Sequence, residues 1–371
     1  MSGTSGKIRV LHLTAQPSDF QTERSAGALL TRAGDEFEIT SRSIGRSGSY
    51  RNLPAAVLGL RREARAYNIV HAWGQAALTA AALAGAGPLL FTPMDFLGRH
   101  GVAWLRAVMS CRDVYVVCPT ATQRRACVEH GVPIDRCHLI HPGVDFARVR
   151  RRRDAALRQA LGLAEGDYVL LAAGESTRAA AHDQAVWAVS ILHVLDRKWK
   201  VLLWGRGAAL GHAVRLGADL AQPDLLRVAE RQLGRAVAFE ELLPAADAVL
   251  VPAIGPVPTL PIAISMAAAL PIIATVTYTN AELLEDRHTA LMCPKNKPRL
   301  LARRILDLQQ DPQVQWAICD QARTEAYEYF PLTRFLNQYR AVYRQLAGGG
   351  RVVVPEHLCD DDLISTLRSR E

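Results

Sequence analysis

Thr277, Thr279 and Asn280 stand just ahead of Glu282 in the segment VTYTNAELLEDRHTALMCP. These residue types mark a helix start, where free backbone N–H groups and the helix dipole favour a phosphate. They suit an ordinary task equally well, because Thr279 or Asn280 satisfies the same N–H groups as an N-cap. Both readings stand at this point. His71 ends the apolar stretch YNIVHAWG, where a histidine either moves a proton or holds the strand by a hydrogen bond; His100 follows in FLGRHG. No metal chemistry is expected, since the chain shows no evident ligand cluster. The seven cysteines, Cys111, Cys118, Cys127, Cys137, Cys293, Cys319 and Cys359, show no CxxC pair or other metal spacing. An odd count in a large chain reads as reduced thiols in a cytosolic protein.

Such residues need a scaffold, and 371 residues suffice for two domains of about 150 residues each. Hydrophobic residues make up 49% and charged ones 22%, a globular balance. No apolar run reaches the roughly 18 residues that would span a bilayer. The opening MSGTSGKIRVLHLT lacks a small-residue cleavage site and reads as a first strand rather than a secretion signal. Residues 1–150 carry 18 Lys and Arg against 11 Asp and Glu, which is +7 of the overall +8. This asymmetry points to an anionic partner for the first half, a membrane surface, a phospholipid or an acidic acceptor rather than nucleic acid. A solvated surface rich in arginine explains it equally well.

Short apolar runs alternate with amphipathic stretches, as parallel βαβ units require. The first half gives strands at Ile8–Thr14, Ile69–Ala72, Leu89–Thr92, Asp113–Cys118 and Cys137–Ile140, with helices Leu53–Tyr67, Ala76–Ala84 and Thr122–Glu129. After HPGVDF and the basic run Arg148 to Arg153, a second series has strands Tyr168–Ala172, Lys200–Trp204, Ala248–Val251 and Ile272–Thr275. Its helices are Gln184–Leu195, Ile262–Ala269 and Arg299–Gln309. YVLLAA, KVLLW and AVLVP are continuous apolar runs, the mark of strands covered on both faces. Two doubly wound sheets are implied, with ligands at the carboxyl ends of their strands. A last amphipathic segment puts Phe335, Tyr339, Val342 and Leu346 on one helical face.

Several segments, in order, resemble the family 4 retaining glycosyltransferases. They are YNIVHAWG, CPTATQRRACVEHGVPIDRCHLIHPGVDF, YVLLAAGESTRAAAHDQAVWAVSIL, KVLLWGRG, LLPAADAVLVPAIGPVPTLPIAISMAAALPIIAT and AELLEDRHTALMCP, within residues 7–346. The resemblance implies an α/β chain of GT-B type, two Rossmann-like domains facing each other across a cleft. Residues 1–150 would form the acceptor domain and 151–330 the nucleotide-sugar (donor) domain. Residues 331–347 would cross back to the first domain, leaving 348–371 as a tail. It further implies electrostatic catalysis: a cationic pair neutralises the leaving diphosphate, and carboxylates hold ribose and sugar hydroxyls. No cofactor is implied.

Against that pattern, several positions depart. Aligned on Gly174, the family's arginine falls at Glu175 and its lysine at Ala180, and a glutamate beside a diphosphate repels it. Arg178 and His182 are the nearby cations that could substitute, or are solvated loop residues. The two glutamates of the donor core fall at Pro256 and Ile264, which should line the cleft at the edge of the second sheet. Losing two hydrogen bonds to charged groups costs about 3–6 kcal/mol of donor recognition. The glycine-rich loop after the first strand is replaced by PSDFQTERSAG, and the cleft histidine falls at Met94, beside a retained Asp95. Asp95 and His71 are the acceptor-side candidates. Glu282 matches a glutamate of the family, with Gly174, Thr277, Thr279 and Asn280 beside it as donor-side candidates. The expectation is transfer of a sugar from a nucleotide-sugar, weakly bound, to a glycan or lipid-linked acceptor, in envelope polysaccharide or glycolipid synthesis. The alternative is a catalytically inactive relative that binds a glycan, lipid or protein. The expected location is cytoplasmic, peripheral at the inner face of the membrane.

Overall fold

The computed structural model describes residues 7–16, 18–46, 53–150, 152–220, 222, 224–350 and 352–354. Expectations that rest on Arg151, Cys359 or the tail beyond 354 lie outside these residues. The chain divides into two compact units. One runs to Gly143 and resumes at Leu332; the other is Val144–Pro331.

The first unit holds a six-stranded parallel sheet of β1 (Ile8–Gln16), β2 (Phe37–Arg46), β3 (Ile69–Trp73), β4 (Leu89–Thr92), β5 (Val114–Cys118) and β6 (Cys137–Leu139). Their order is β2-β1-β3-β4-β5-β6. The five strands read from sequence are all there. The sixth, β2, is an edge strand whose FEITSRSIGR alternates apolar and polar residues, since only one of its faces is covered. Most of PSDFQTERSAG forms the helix Phe20–Arg32, capped by Asp19 through the N–H of Thr22. The helices Leu53–Glu63, Gln75–Ala84, Arg99–Met109 and Ala121–Glu129 complete this part of the unit. One face of the sheet packs Leu11, Val70, Phe91 and Val116 beneath four of these helices.

The other face receives the helix Leu332–Ala347, whose Phe335, Leu336, Tyr339, Val342, Tyr343 and Leu346 are buried against Val10, Ile69, Leu90 and Val117. Strand alternation points His12, His71 and Thr92 toward the same helix. Tyr343 Oη lies 2.9 Å from His12 Nε2 and 2.8 Å from His71 Nδ1. His71 Nε2 lies 2.9 Å from Thr92 Oγ1, which lies 3.1 Å from the Tyr339 hydroxyl. One proton order leaves a single group unmet. Tyr339 donates to Thr92, Thr92 to His71 Nε2, His71 Nδ1 to Tyr343, and Tyr343 to His12 Nε2, so that only His12 Nδ1 lacks a partner. The reverse order would strand the Tyr339 proton as well.

The second unit repeats the architecture with β7 (Tyr168–Ala172), β8 (Trp199–Leu203), β9 (Leu226–Val228), β10 (Ala248–Val251), β11 (Ile272–Val276) and β12 (Leu291–Pro294). All pair in parallel in the order β12-β11-β10-β7-β8-β9. Counted from β7 this is the dinucleotide-binding order 3-2-1-4-5-6, whose direction reverses between β7 and β10. The strands unforeseen in the sequence, β9 and β12, are again the edges. One face is packed by the helices His182–Leu195, Leu210–Asp219 and Pro298–Gln310.

The buried histidines make stability depend on pH. An imidazole ordinarily titrates at 6.5; burial drops His12 to about 3. Burial, and then the neighbouring His12, hold His71 well below its ordinary value. Between about pH 3 and 6.5 the unfolded chain therefore binds protons that the folded one refuses. This contribution is complete above that window and is lost as pH falls through it, at up to about 1.4 kcal/mol per pH unit for each histidine. Amide exchange of β1 and β3 in the folded protein should accelerate from pH 7 to pH 5, after correction for intrinsic rates. Unchanged opening free energies would contradict the neutral network.

Candidate functional site

The carboxyl ends of β7 and β10 lie side by side, and the segments leaving them meet at the switch point, the place where doubly wound sheets bind ligands. Ala173 N–H donates to the Leu250 carbonyl at 2.9 Å, and Ile254 N–H donates to Ala179 O at 2.8 Å. Gly174 then turns with φ +73°, and a Cβ there would sit 3.1 Å from Pro261 Cγ, so glycine lets this loop pass the helix Leu260–Ala267. The loop next closes on the turn after β8. Ser176 N–H donates to Arg206 O at 2.8 Å, and Ala209 N–H donates to Ser176 O at 2.8 Å. Gly207, at φ +109°, makes that approach possible, because a Cβ would overlap the Ser176 backbone.

Within this loop His182 is locked. Its Nε2–H donates to Ala173 O at 3.1 Å, so Nδ1 accepts from the Ser176 hydroxyl at 2.8 Å. Burial lowers its pKa to about 4. The expectation that His182 could stand in as a cation is therefore corrected: it is a neutral brace inside the loop. Arg178 is exposed, and Ala180 is buried. Glu175 lies 3.5 Å from the guanidinium of Arg206, which also stacks over the Trp204 ring at 5.0 Å. Sequence reasoning passed over Arg206, although it stands in the glycine-flanked turn of KVLLWGRG.

The segment after β11 shows which residue caps its helix. Thr277 is the N-cap of the helix Tyr278–Leu283, accepting from Asn280 N–H at 3.2 Å, in place of the expected Thr279 or Asn280. Asn280 is buried and donates from Nδ2 to Thr275 O at 2.8 Å. Thr279, also buried, accepts from Val257 N–H at 3.4 Å, and Glu282 is buried as well. Only Thr277 of this group is half-buried and near the surface. Pro256 is exposed, whereas Ile264 is 3% exposed in a helix whose eight residues are all buried. The two positions expected to line one wall are thus split between surface and interior.

At the carboxyl edge of the first sheet, the loops after β1, β3 and β4 converge. Gly74, at φ +88°, makes room for the Met94 sulfur. Asp95 is exposed. Burial, then opposing hydrogen bonds from Thr22, and the charge of Asp95 leave the Asp19 carboxyl above its usual range. His71 is not at this surface: it is 0% exposed with both ring nitrogens engaged, so its acceptor-side assignment is withdrawn. His100 is exposed in the first turn of the helix Arg99–Met109.

The fold is that of the GT-B glycosyltransferases. Residues 10–148 match the family described as Glycosyltransferase Family 4, and residues 167–311 match the family described as Glycosyl transferases group 1. The chain belongs to the family 4 glycosyltransferases. It is 26% identical over 209 residues to D-inositol 3-phosphate glycosyltransferase of Salinispora arenicola, a match covering 52% of this chain and 46%, about half, of that protein. Among solved structures, sucrose-phosphate synthase of Thermosynechococcus elongatus matches with a TM-score of 0.77 at 16% identity, covering 93% of this chain and 100% of that one. HepE of Anabaena, in complex with UDP and glucose, gives 0.75 at 16% identity, with 90% and 98% covered.

The loop clasp predicts a contrast between two glycines. Gly207→Ala should lose about 1–3 kcal/mol from backbone conformation alone, whereas Gly27→Ala, inside a helix with open space around it, should gain up to about 1 kcal/mol. Urea denaturation of both variants checks this; equal effects would contradict it.

Proposed function

We propose that this chain transfers a sugar from a nucleotide-sugar held at the carboxyl edge of the second sheet to a glycan or lipid-linked acceptor at the edge of the first. The product class is an envelope polysaccharide or glycolipid, in keeping with relatives such as WaaG, a glycosyltransferase of lipopolysaccharide biosynthesis. One observation carries the reading: the glutamate at the family's arginine position is paired with Arg206 rather than left to repel the donor. Arg206 would neutralise the leaving diphosphate, and Glu175 would release it when phosphate arrives. A preorganised cation of this kind acts where charge develops in the transition state. Thr277 and Gly174 would border the donor. At the first sheet, Asp95 beside Asp19 would take the proton of an acceptor hydroxyl.

The second reading, a silent relative that binds without catalysis, is favoured by the buried Ile264 and the neutral His182. Neither gives a sugar hydroxyl or a phosphate the charge it would need.

Calorimetry and ligand-observed NMR with UDP- and GDP-sugars separate the two. A nucleotide-sugar should bind wild type at about 1 mM, near −4 kcal/mol. Glu175→Gln should bind about tenfold tighter by freeing Arg206, and Arg206→Ala should lose detectable binding. Absence of binding in both wild type and Glu175→Gln would leave only the binding-module reading.

A peripheral membrane contact by the first unit is part of the proposal. Leu58 is 67% exposed on the helix Leu53–Glu63, whose exposed Arg61 and Arg62 are followed by exposed Arg65. No helix among the described residues is long and apolar enough to cross a membrane. Each arginine near an anionic surface adds about 1 kcal/mol, screened within a Debye length. Sedimentation should show salt-sensitive association with anionic vesicles that Arg61→Ala, Arg62→Ala and Arg65→Ala together weaken. Equal binding to neutral vesicles would refute it.

A further inference from the structure

Three cysteines spaced 9 and 10 residues apart come together inside the first unit. Cys118 ends β5, Cys137 begins β6, and Cys127 sits on the helix Ala121–Glu129 that packs over both. All three are fully buried, and their sulfurs lie within 4.8 Å of one another. The Cys118 and Cys137 sulfurs are 3.7 Å apart. A disulfide does not suit this pair. Cys118 lies opposite Leu139 and Cys137 opposite Val116, so the two are diagonal across the ladder. Diagonal neighbours stand about 7–8 Å apart, beyond the usual disulfide span of roughly 4.4–6.8 Å between Cα atoms. What the strands and helix assemble is a triangle of sulfurs. Sulfurs bound to one zinc-sized ion at roughly 2.3 Å stand about 3.8–4 Å apart, close to the spacing seen.

The surroundings hold the triangle in place. Gln123, itself buried, donates from Nε2 to the Cys127 sulfur at 3.4 Å, while its Oε1 accepts from Leu97 N–H at 2.7 Å. An amide fixed at both ends aims an N–H at one ligand atom, as outer partners of metal ligands do. Arg124, one residue on, donates from Nε to the Cys137 carbonyl at 3.0 Å, placing a positive charge beside sulfurs that become anionic on binding. No carboxylate or imidazole joins the group among the described residues. We infer that Cys118, Cys127 and Cys137 form a three-sulfur site for a thiophilic cation of the zinc or copper(I) class, built from residues other than the proposed donor and acceptor contacts. Hard cations such as magnesium and calcium prefer oxygen and are excluded by the donor set. Each thiol that binds gives up its proton to solvent, so loading releases protons and weakens as pH falls. Because the sulfurs are buried, entry requires the helix Ala121–Glu129 to open locally.

The test uses the full chain. Reduced protein is refolded with either Cd²⁺, as a probe for zinc, or Cu⁺ supplied from a weaker chelator. Bound metal, thiolate-to-metal absorption and the melting temperature are then read. Wild type should retain one ion per chain with a raised melting temperature, in at least one of the two arms. Cys127→Ala should retain less than a tenth as much, while Cys111→Ser and Cys293→Ser, outside the triangle, should load like wild type. Circular dichroism confirms that each variant is folded. If Cys127→Ala does not fold, Gln123→Leu serves in its place and should weaken retention at least fivefold. Wild type that retains no ion in either arm would overturn the inference and make the triangle apolar packing only. Equal loading of Cys127→Ala, or of Gln123→Leu where it replaces it, would also overturn it.

Discussion

The helix Leu332–Ala347 must close the first sheet, although the whole second unit separates it in sequence from that sheet's strands. Two features make the return possible. Gly143 passes Leu332 so closely that a Cβ would lie 2.8 Å from the Leu332 Cα, so the outgoing and returning segments touch only because one residue has no side chain. The hydrogen-bonded line through Tyr339, Thr92, His71, Tyr343 and His12 then fixes the helix in register. Burying those groups is tolerable because all but His12 Nδ1 find a partner. The requirement keeps both histidines neutral, which removes them from catalysis and gives them to architecture.

Much of the scaffold was legible because interior parallel strands are continuous apolar runs and contrast with the helices between them. YVLLA and AVLV carry that signal plainly. Three of the four edges did not: β2 alternates, and β9 is only the three residues Leu226–Val228. The last helix was legible from its stripe of Phe335, Tyr339, Val342 and Leu346, and Tyr343 joins them in the folded chain. His12 and Tyr343 were not foreseen as partners of His71, since 331 positions separate the first two and no local pattern records such a meeting. The cysteine triangle was hidden likewise, because its spacing follows strand and helix lengths rather than a metal-binding motif.

The candidate site shows a related limit of reading positions one at a time. Glu175 looked hostile to a diphosphate while it was considered alone. In the fold its loop is clasped to the turn after β8, and that turn carries Arg206. The cation proposed to meet the donor lies on a neighbouring loop instead of the first loop itself, which sequence alignment of a single segment does not reveal. His182 moved the other way, from a candidate cation to a neutral brace whose hydrogen bonds shape the loop.

In the proposed reaction, this frame at the carboxyl edge of β7 and β10 receives the diphosphate of a donor. Hydrogen-exchange mass spectrometry with saturating nucleoside diphosphate tests it most directly, because it reports where the ligand lands. Protection should be confined to residues 174–182, 205–209 and 275–280, with the strands of the first sheet unchanged. Protection elsewhere, with those three segments unaffected, would contradict it.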